Sequence, residues 1–237
     1  MEEDFVESAS SSTVREVQYE AYGFEPMLSY TGRRLEPPHE IEYDSEDEED
    51  RAVFTRHTVL NHRYELLEQI GSGTFCVVWN AIDHLKNKEV AIKALHKSEK
   101  DDFQMELLIN QYFSTIGYEN SCLVEFYDYF FHGDHCCFVF ENAYHNILTF
   151  IRYFFGAPVH PPIELIRKIS YDLLKALAYF HRHGVIHADI KPENVLAMTP
   201  LFPYQVDGAF DSLVDDPTLV TFKLTDFGNS CFVDDHI

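Results

Sequence analysis

Apolar and polar residues alternate along the chain from Tyr64 onward, and this alternation predicts a series of short strands. The strands are rich in β-branched and aromatic residues and are bounded by turn-forming residues. They cover Tyr64–Ile70, Cys76–Ile82, Glu89–Leu95, Val124–Phe131 and Cys136–Glu141. The first three follow one another through short turns, so they are expected to pair antiparallel. The first half of the patterned region is therefore predicted to be a five-stranded sheet.

Helical periodicity marks two further segments. Asp101–Phe113 lies between the third and fourth strands, and Ile163–His183 carries apolar residues at the three-and-four spacing of an amphipathic helix. Two prolines, Pro161 and Pro162, precede the second segment, as is typical of a helix start. Residues 198–219 contain three prolines and several acids without a clear period, which predicts an inserted loop.

Composition narrows the class of protein. Hydrophobic residues make up 46% of the 237 positions, which is enough for a real core in one large or two small domains. The richest apolar stretch, Ile147–Phe155, is far shorter than the roughly eighteen residues that a membrane span needs. The acidic N-terminus does not resemble a signal peptide, and five unpatterned cysteines suit a reducing compartment. We expect a soluble protein of the nucleus or cytoplasm.

Charge is concentrated at the N-terminus. The formal net charge is −22, and residues 1–51 hold sixteen acids against four arginines, which accounts for −12 of it. The run Asp44–Asp50 repels itself and cannot be buried, so residues 1–60 are predicted to form a largely disordered acidic tail. Such a tail acts either as a solubility segment or as a binder of basic peptides. Direct binding to nucleic acid is disfavoured, because phosphates attract the opposite charge.

The turn after the first strand holds Gly71-Ser72-Gly73, and its context excludes two nucleotide motifs. A dinucleotide fingerprint would place a third glycine at position 76 and then open a helix, but Cys76 starts a strand. A Walker loop would end in Gly-Lys-Ser/Thr, which is absent here. The remaining interpretation is a glycine-rich flap whose backbone N–H groups close over phosphates, with Lys93 nearby as a cation.

Two later clusters complete a specific order of motifs. His187-Ala188-Asp189 is followed by Lys191 and Asn194, and Asp226-Phe227-Gly228 comes near the end of the chain. Together with the flap and Lys93, they resemble the signature of the eukaryotic protein kinases. Within that group, the chain is similar to the LAMMER (CDC-like) and SR-protein kinases. The matching segments are Asn61–Glu65, Ile82–His84, Phe138–Glu141, Leu165–Ile169 and the loop between Leu196 and Lys223.

The resemblance implies an α+β bilobal kinase fold. Residues 64–143 would form a complete five-stranded N-lobe with one helix, and residues 144–237 a partial, mainly helical C-lobe. The chain stops eleven residues after Asp226, inside what would be the activation segment, so we expect the rest of the larger lobe to be missing.

The resemblance also implies catalytic roles. Lys93 would contact the α- and β-phosphates of ATP and would be oriented by Glu106 on the first helix. Asp189 would accept the proton of the substrate hydroxyl, and Lys191 would steady the transferring phosphoryl group. Mg²⁺ would be held by Asn194.

Asp226 would be the second Mg²⁺ ligand implied by the resemblance. Adenine would bond to the linker backbone at Glu141 and Ala143, with the bulky Phe140 limiting access behind it. The implied nucleotide-binding residues are Ile70, Gly71, Ser72, Gly73, Thr74, Phe75, Cys76, Val78, Ala91, Lys93, Phe140, Glu141, Ala143 and Leu196.

Three positions depart from the common kinase pattern. Cys76 replaces the third flap glycine, which is expected to stiffen the loop. Ala188 replaces an arginine that usually grips an activation-loop phosphate, so we expect activity that does not depend on that phosphorylation. Asn110 stands one turn after Glu106, where the family packs an apolar residue, and this puts the helix register in question.

The zinc-like group of histidines and cysteines at residues 132–137 is better explained as a tight turn between strands. Three hypotheses for function follow. The first is an ATP-dependent, monomeric protein kinase acting on Ser/Thr, and also on Tyr, of Arg/Ser-rich splicing factors. The second is a nucleotide-binding interaction module without activity. The third is a piece that does not fold alone.

Overall fold

Six antiparallel strands form the main sheet, in the order β1-β2-β3-β4-β6-β5. They are β1 (Val59–Leu60), β2 (Tyr64–Ser72), β3 (Cys76–Asp83), β4 (Lys88–Leu95), β5 (Phe126–His132) and β6 (His135–Glu141). The computed structural model describes residues 51–99, 103–119, 121–155, 161–199 and 219–233. Alternation determines the faces of the sheet, since Val77, Trp79 and Ala81 of β3 are buried while the residues between them are half-buried.

The five predicted strands are all present, and β1 is an addition at the sheet edge. Residues 51–60, which the sequence assigns to the tail, pack on this sheet. Ala52 and Leu60 are buried in the same cluster as Tyr64 and Leu66. Isolated apolar side chains in a polar segment are therefore enough to anchor residues 51–60 to the sheet. The disorder predicted for residues 1–50 concerns positions outside the described ranges.

Helix α1 (Phe103–Ile116) buries one face, which carries Glu106, Ile109, Asn110 and Phe113. A second helix, α2 (Ile147–Phe155), occupies the apolar stretch for which the sequence analysis predicted no helix. The long helix α3 (Ile163–Arg182) agrees with its predicted span and buries Leu165, Asp172, Ala176 and Phe180. Within the described ranges, no helix has both the length and the apolar character needed to cross a membrane.

Short strands organise the rest of the chain. The strands β7 (His145–Asn146), β9 (Val195–Ala197) and β10 (Phe222–Leu224) form a three-stranded sheet, and β8 (Val185–Ile186) pairs with β11 (Cys231–Phe232). A 3₁₀ turn, Pro192–Asn194, lies just before β9. These pieces fix the loops that carry Asp189 and Asp226. The predicted insertion at residues 198–219 lies almost wholly outside the described residues.

Candidate active site

One ammonium group connects three distant parts of the chain. The Lys93 Nζ donates to both carboxylate oxygens of Glu106, at 2.7 and 2.9 Å, and to Asp226 Oδ1 at 2.8 Å. Lys93 lies on β4, Glu106 on α1 and Asp226 after β10. Burial by itself would lower the pKa of Lys93, but the two carboxylates raise it, so the ammonium is held in its charged form.

The positions of Lys93 and Glu106 follow from the pattern of buried residues in β4 and α1. On β4, Val90, Ile92 and Ala94 are buried on one face, and the alternate residue Lys93 points the other way. Glu106 shares the buried face of α1, so its carboxylate is 4% exposed. The expected pairing of Lys93 with Glu106 is therefore present in the structure, and the register of α1 is the predicted one.

The segment that contains Asp226 is held in a sparsely populated backbone conformation. Asp226 has φ of 65°, in the left-handed region that non-glycine residues seldom adopt. Phe227 is buried, and its ring lies 5.0 Å from that of Phe180, 5.8 Å from that of His187 and 6.0 Å from that of Phe113. These edge-to-face contacts fix the residue next to Asp226, whose carboxylate contacts Lys93.

The loop after β8 carries a second group of polar side chains. Asp189 Oδ2 accepts hydrogen bonds from Lys191 at 2.7 Å and from the Asn194 amide at 3.1 Å. Its second oxygen, Oδ1, accepts no hydrogen bond from the described chain. The bond from Lys191 is the main reason that the pKa of Asp189 lies below its usual value. Asp189 is thus an ionised acceptor with one open oxygen.

His187 is hydrogen-bonded to the loop that carries Asp189. Its Nδ1 accepts the Asp189 backbone N–H at 3.2 Å, so Nε2 carries the proton and donates to the Thr225 carbonyl at 3.0 Å. Burial lowers the pKa of His187, which favours this neutral form. The sequence analysis quoted His187 within a motif but gave it no role. Its hydrogen bonds link the Asp189 loop to the residue before Asp226.

The flap is a tight hairpin between β2 and β3. Gly73 N–H donates to the Cys76 carbonyl at 2.9 Å. The backbone N–H groups of Thr74 and Phe75 donate to no atom of the described chain, and both residues are exposed. Unpaired N–H groups at a turn are suited to bind an anion, as the sequence predicts for phosphates.

Apolar side chains lie near the flap and the linker that follows β6. Cys76, Ala91 and Leu196 pack against the buried cluster that contains Phe140, and Ala91 is paired with Phe140 across β4 and β6. Two other predicted lining residues, Ile70 and Val78, are half-buried on β2 and β3.

The linker after β6 has a backbone donor at the position predicted for adenine. Glu141 N–H donates to the Glu125 carbonyl, and Tyr144 N–H donates to the Ala197 carbonyl. Ala143 N–H has no acceptor in the described part of the chain. This matches the donor that an adenine ring would need at the predicted position.

The comparison with protein families shows which family has this arrangement of residues. Residues 64–237 match the family model described as "Protein kinase domain". The chain belongs to the protein kinase family. The bilobal kinase fold expected from the motifs is thereby confirmed. A crystal structure of the kinase domain of PF14_0431 supports the fold, with a TM-score of 0.64 over 78% of this chain and 56% of that one, at 24% identity.

Named relatives of this kinase domain carry related activities. The chain is 30% identical over 223 residues to "Serine/threonine-protein kinase AFC1" of Arabidopsis thaliana, covering 87% of this chain and 46% of that protein. It is 27% identical over 197 residues to "Dual specificity protein kinase CLK1" of Mus musculus, covering 81% of this chain and 40% of that protein. The chain therefore spans less than half the length of these relatives.

The two residues implied as Mg²⁺ ligands, Asn194 and Asp226, carry the oxygen atoms that such an ion needs. Asn194 uses its amide nitrogen on Asp189, and its side-chain oxygen accepts no hydrogen bond from the described chain. Lys93 and lesser nearby groups keep the pKa of Asp226 low against the opposing effect of burial, so its carboxylate is ionised. Carboxylate and amide oxygens are the ligands that Mg²⁺ prefers.

The ion pair of Lys223 with Glu141, which the sequence did not predict, holds the linker of this kinase. It is called the Lys223 clamp below. Lys223 on β10 donates to Glu141 Oε2 at 2.6 Å, and the same oxygen accepts the Glu125 N–H at 3.3 Å. The side chains of Lys223 and Glu141 are 17% and 24% exposed. A lysine in a short strand gives no sequence signal for such a contact, because its partner is 82 positions away.

Asn110 is accommodated within the buried face of α1. It is fully buried, and its amide nitrogen donates to the Glu106 carbonyl one turn earlier at 2.9 Å. Its side-chain oxygen has no partner in the described chain. An unpaired buried acceptor is unfavourable, so Asn110 weakens the packing of α1 without displacing Glu106.

Proposed function

We propose that the chain binds Mg-ATP in this cleft and catalyses transfer of the γ-phosphate to hydroxyl groups of protein substrates. The observation that carries the proposal is the ion cluster of Lys93 with Glu106 and Asp226, which joins groups up to 133 positions apart in the sequence. Buried, mutually perturbed charges of this kind concentrate at functional sites, and phosphoryl transfer by kinases uses a lysine–glutamate pair together with a metal-binding aspartate.

Each side chain then has a defined task. Lys93 binds nucleotide phosphates, and the open Oδ1 of Asp189 accepts the proton of the attacking hydroxyl. Lys191 offsets negative charge on the transferring group. Asn194 and Asp226 hold Mg²⁺, which when bound neutralises phosphate charge. Positioning and electrostatics supply most of the catalysis in this reaction, so these residues are a sufficient set.

The substrates in this proposal are Ser and Thr, and also Tyr, within basic Arg/Ser-rich segments of splicing factors. Two relatives are named as a serine/threonine kinase and a dual specificity kinase. The net charge of −22 favours basic partners. All five cysteines are free thiols, which is consistent with the nucleus or cytoplasm as the location. The chain acts as a monomer.

The test uses the purified 237-residue chain. Mg-ATP should raise its Tm, and phosphate should be transferred to an Arg/Ser peptide but not to the same peptide with every Ser replaced by Ala. Asp189→Asn should slow transfer by about 10²- to 10⁴-fold and keep the thermal shift. A shift without transfer in the parent would identify a nucleotide-binding module instead. The absence of both from a folded parent would refute the proposal.

A further inference from the structure

His96 directly follows β4 and contacts two segments that lie far apart in the sequence. The residue is 3% exposed. Its Nδ1 accepts the backbone N–H of Ala52 at 3.2 Å, and its Nε2 lies 3.2 Å from the carbonyl oxygen of Gly73. Its own backbone N–H donates to the Phe75 carbonyl at 2.9 Å. His96 is therefore hydrogen-bonded twice to the flap and once to the backbone of Ala52.

The hydrogen bonds define the protonation of the ring. A backbone N–H can only donate, so Nδ1 must present its lone pair to Ala52. The proton of the neutral ring is then on Nε2, which donates to the Gly73 carbonyl. The alternative tautomer would place a hydrogen against the Ala52 N–H and a lone pair against the Gly73 oxygen. The geometry thus selects one tautomer, and that tautomer binds the flap.

Anchoring the carbonyls determines what the flap can offer to a ligand. The oxygens of Gly73 and Phe75 are taken by His96, and the oxygen of Cys76 is taken by Gly73. The N–H groups of Thr74 and Phe75, between these anchors, have no acceptor in the described chain. The peptide unit is planar, so the bond that fixes the Gly73 oxygen also fixes the Thr74 N–H, which belongs to the same peptide.

We propose that His96 is a positioning residue, which holds the glycine-rich flap in the orientation that binds nucleotide phosphates. The effect on nucleotide binding rests on the proposed function, whereas the anchoring of the flap does not. The role acts through the flap backbone, so it concerns the affinity for the phosphates and leaves the chemistry at Asp189 unchanged. It also joins the flap to the segment that begins at Ala52.

Two substitutions separate the two contacts of the ring. In His96→Asn, the amide oxygen can take the place of Nδ1 and accept the Ala52 N–H, but the side chain is too short to reach Gly73. In His96→Gln, the amide nitrogen can take the place of Nε2 and donate to Gly73, and the bond to Ala52 is lost. Each variant retains one hydrogen bond, so their losses of stability should be similar.

The proposal predicts that the two variants differ toward Mg-ATP. His96→Asn should weaken Mg-ATP binding by about three- to tenfold, the size expected of one neutral hydrogen bond, while His96→Gln should stay close to the parent. Adenosine, which lacks phosphates, should bind all three proteins equally. In kinetic assays, His96→Asn should raise the KM for ATP and leave kcat unchanged.

A second measurement does not need a ligand. Amide hydrogen exchange across residues 72–76 should be faster in His96→Asn than in His96→Gln or the parent. Equal exchange and equal ATP affinity in the two variants would overturn the proposal and leave His96 a structural residue. If the parent bound neither ATP nor adenosine, the proposed function would fail, and the exchange data would still decide whether His96 anchors the flap.

Discussion

Two lysine–carboxylate pairs belong to the candidate active site, and they differ in burial far more than in contact distance. Lys93 and Lys191 each make a contact of 2.7 Å, to Glu106 and to Asp189. The side chains of the first pair are 13% and 4% exposed, whereas those of the second are 44% and 24% exposed. A buried pair must be complete for the fold to be stable, while an exposed pair can exchange partners at little cost. The first pair is therefore a fixed part of the structure, whereas the second is accessible to solvent.

The largest expected effect is on the exposed side. Asp189→Asn removes the carboxylate that accepts the substrate proton, and the rate of phosphate transfer should fall by about 10²- to 10⁴-fold. The amide can still accept from Lys191 and Asn194, so the Tm should stay near that of the parent. Transfer to an Arg/Ser peptide and thermal unfolding measure the two quantities. Retention of the parent rate would remove Asp189 from the mechanism.

The next prediction compares how much each of the two lysines contributes to the free energy of unfolding. Lys93→Met leaves the buried carboxylate of Glu106 without its cation, so the free energy of unfolding should fall by about 3 kcal/mol. Lys191→Met, the matched change at the exposed pair, should alter it by less than about 0.5 kcal/mol. Urea titration of both variants at pH 7 provides the comparison. Similar losses in the two would show that burial does not separate the pairs.

A pH dependence sharpens the same contrast. The Lys191 ammonium is the main cause that lowers the pKa of Asp189, so Asp189 stays ionised well below neutral pH. Removing the cation in Lys191→Met should raise that pKa and move the acidic limb of the pH–rate profile to higher pH. The midpoint of the limb is compared with that of the parent, with circular dichroism at each pH as the control for unfolding. An unmoved midpoint would contradict the assignment.

The smallest effect probes how tightly the buried pair is packed. A Cβ atom at Gly228 would lie 3.3 Å from Glu106 Oε2 and 3.7 Å from Lys93 Nζ. Gly228→Ala should therefore displace the Glu106 carboxylate and cost about 1 kcal/mol in the free energy of unfolding. Gly73→Ala is the control, because its Cβ would approach nothing closer than 3.9 Å. Equal stability of the two variants would mean that the pair can shift freely.

Sequence patterns predicted the parts of this molecule whose signals are local. Strand alternation located Lys93, and ordered motifs indicated Asp189, Asn194 and Asp226 before any coordinates. Helix α2 was missed because a segment of nine mainly apolar residues is too short for its pattern to distinguish a helix from a strand. Contacts such as the Lys223 clamp on Glu141 depend on which surfaces meet after folding, and neither residue is unusual in its own segment.

The packed segment before β1 is another part of the structure that sequence patterns could not predict. Ala52 belongs by composition to the acidic tail, yet it is 3% exposed. Its neighbour in space, His96, has no motif around it. Only the shape of the assembled sheet reveals that an alanine and a histidine 44 positions apart share a hydrogen bond.

The burial of Phe227 among three rings has a consequence for how the end of the described chain opens. The backbone at Asp226 is joined to Phe227, so a displacement of this segment away from Lys93 should require Phe227 to leave its edge-to-face contacts. The bonds from Ser230 N–H to Phe227 and from Val233 N–H to Gly184 depend on the same placement. These amides should therefore be released together, as one cooperative unit with a single opening free energy.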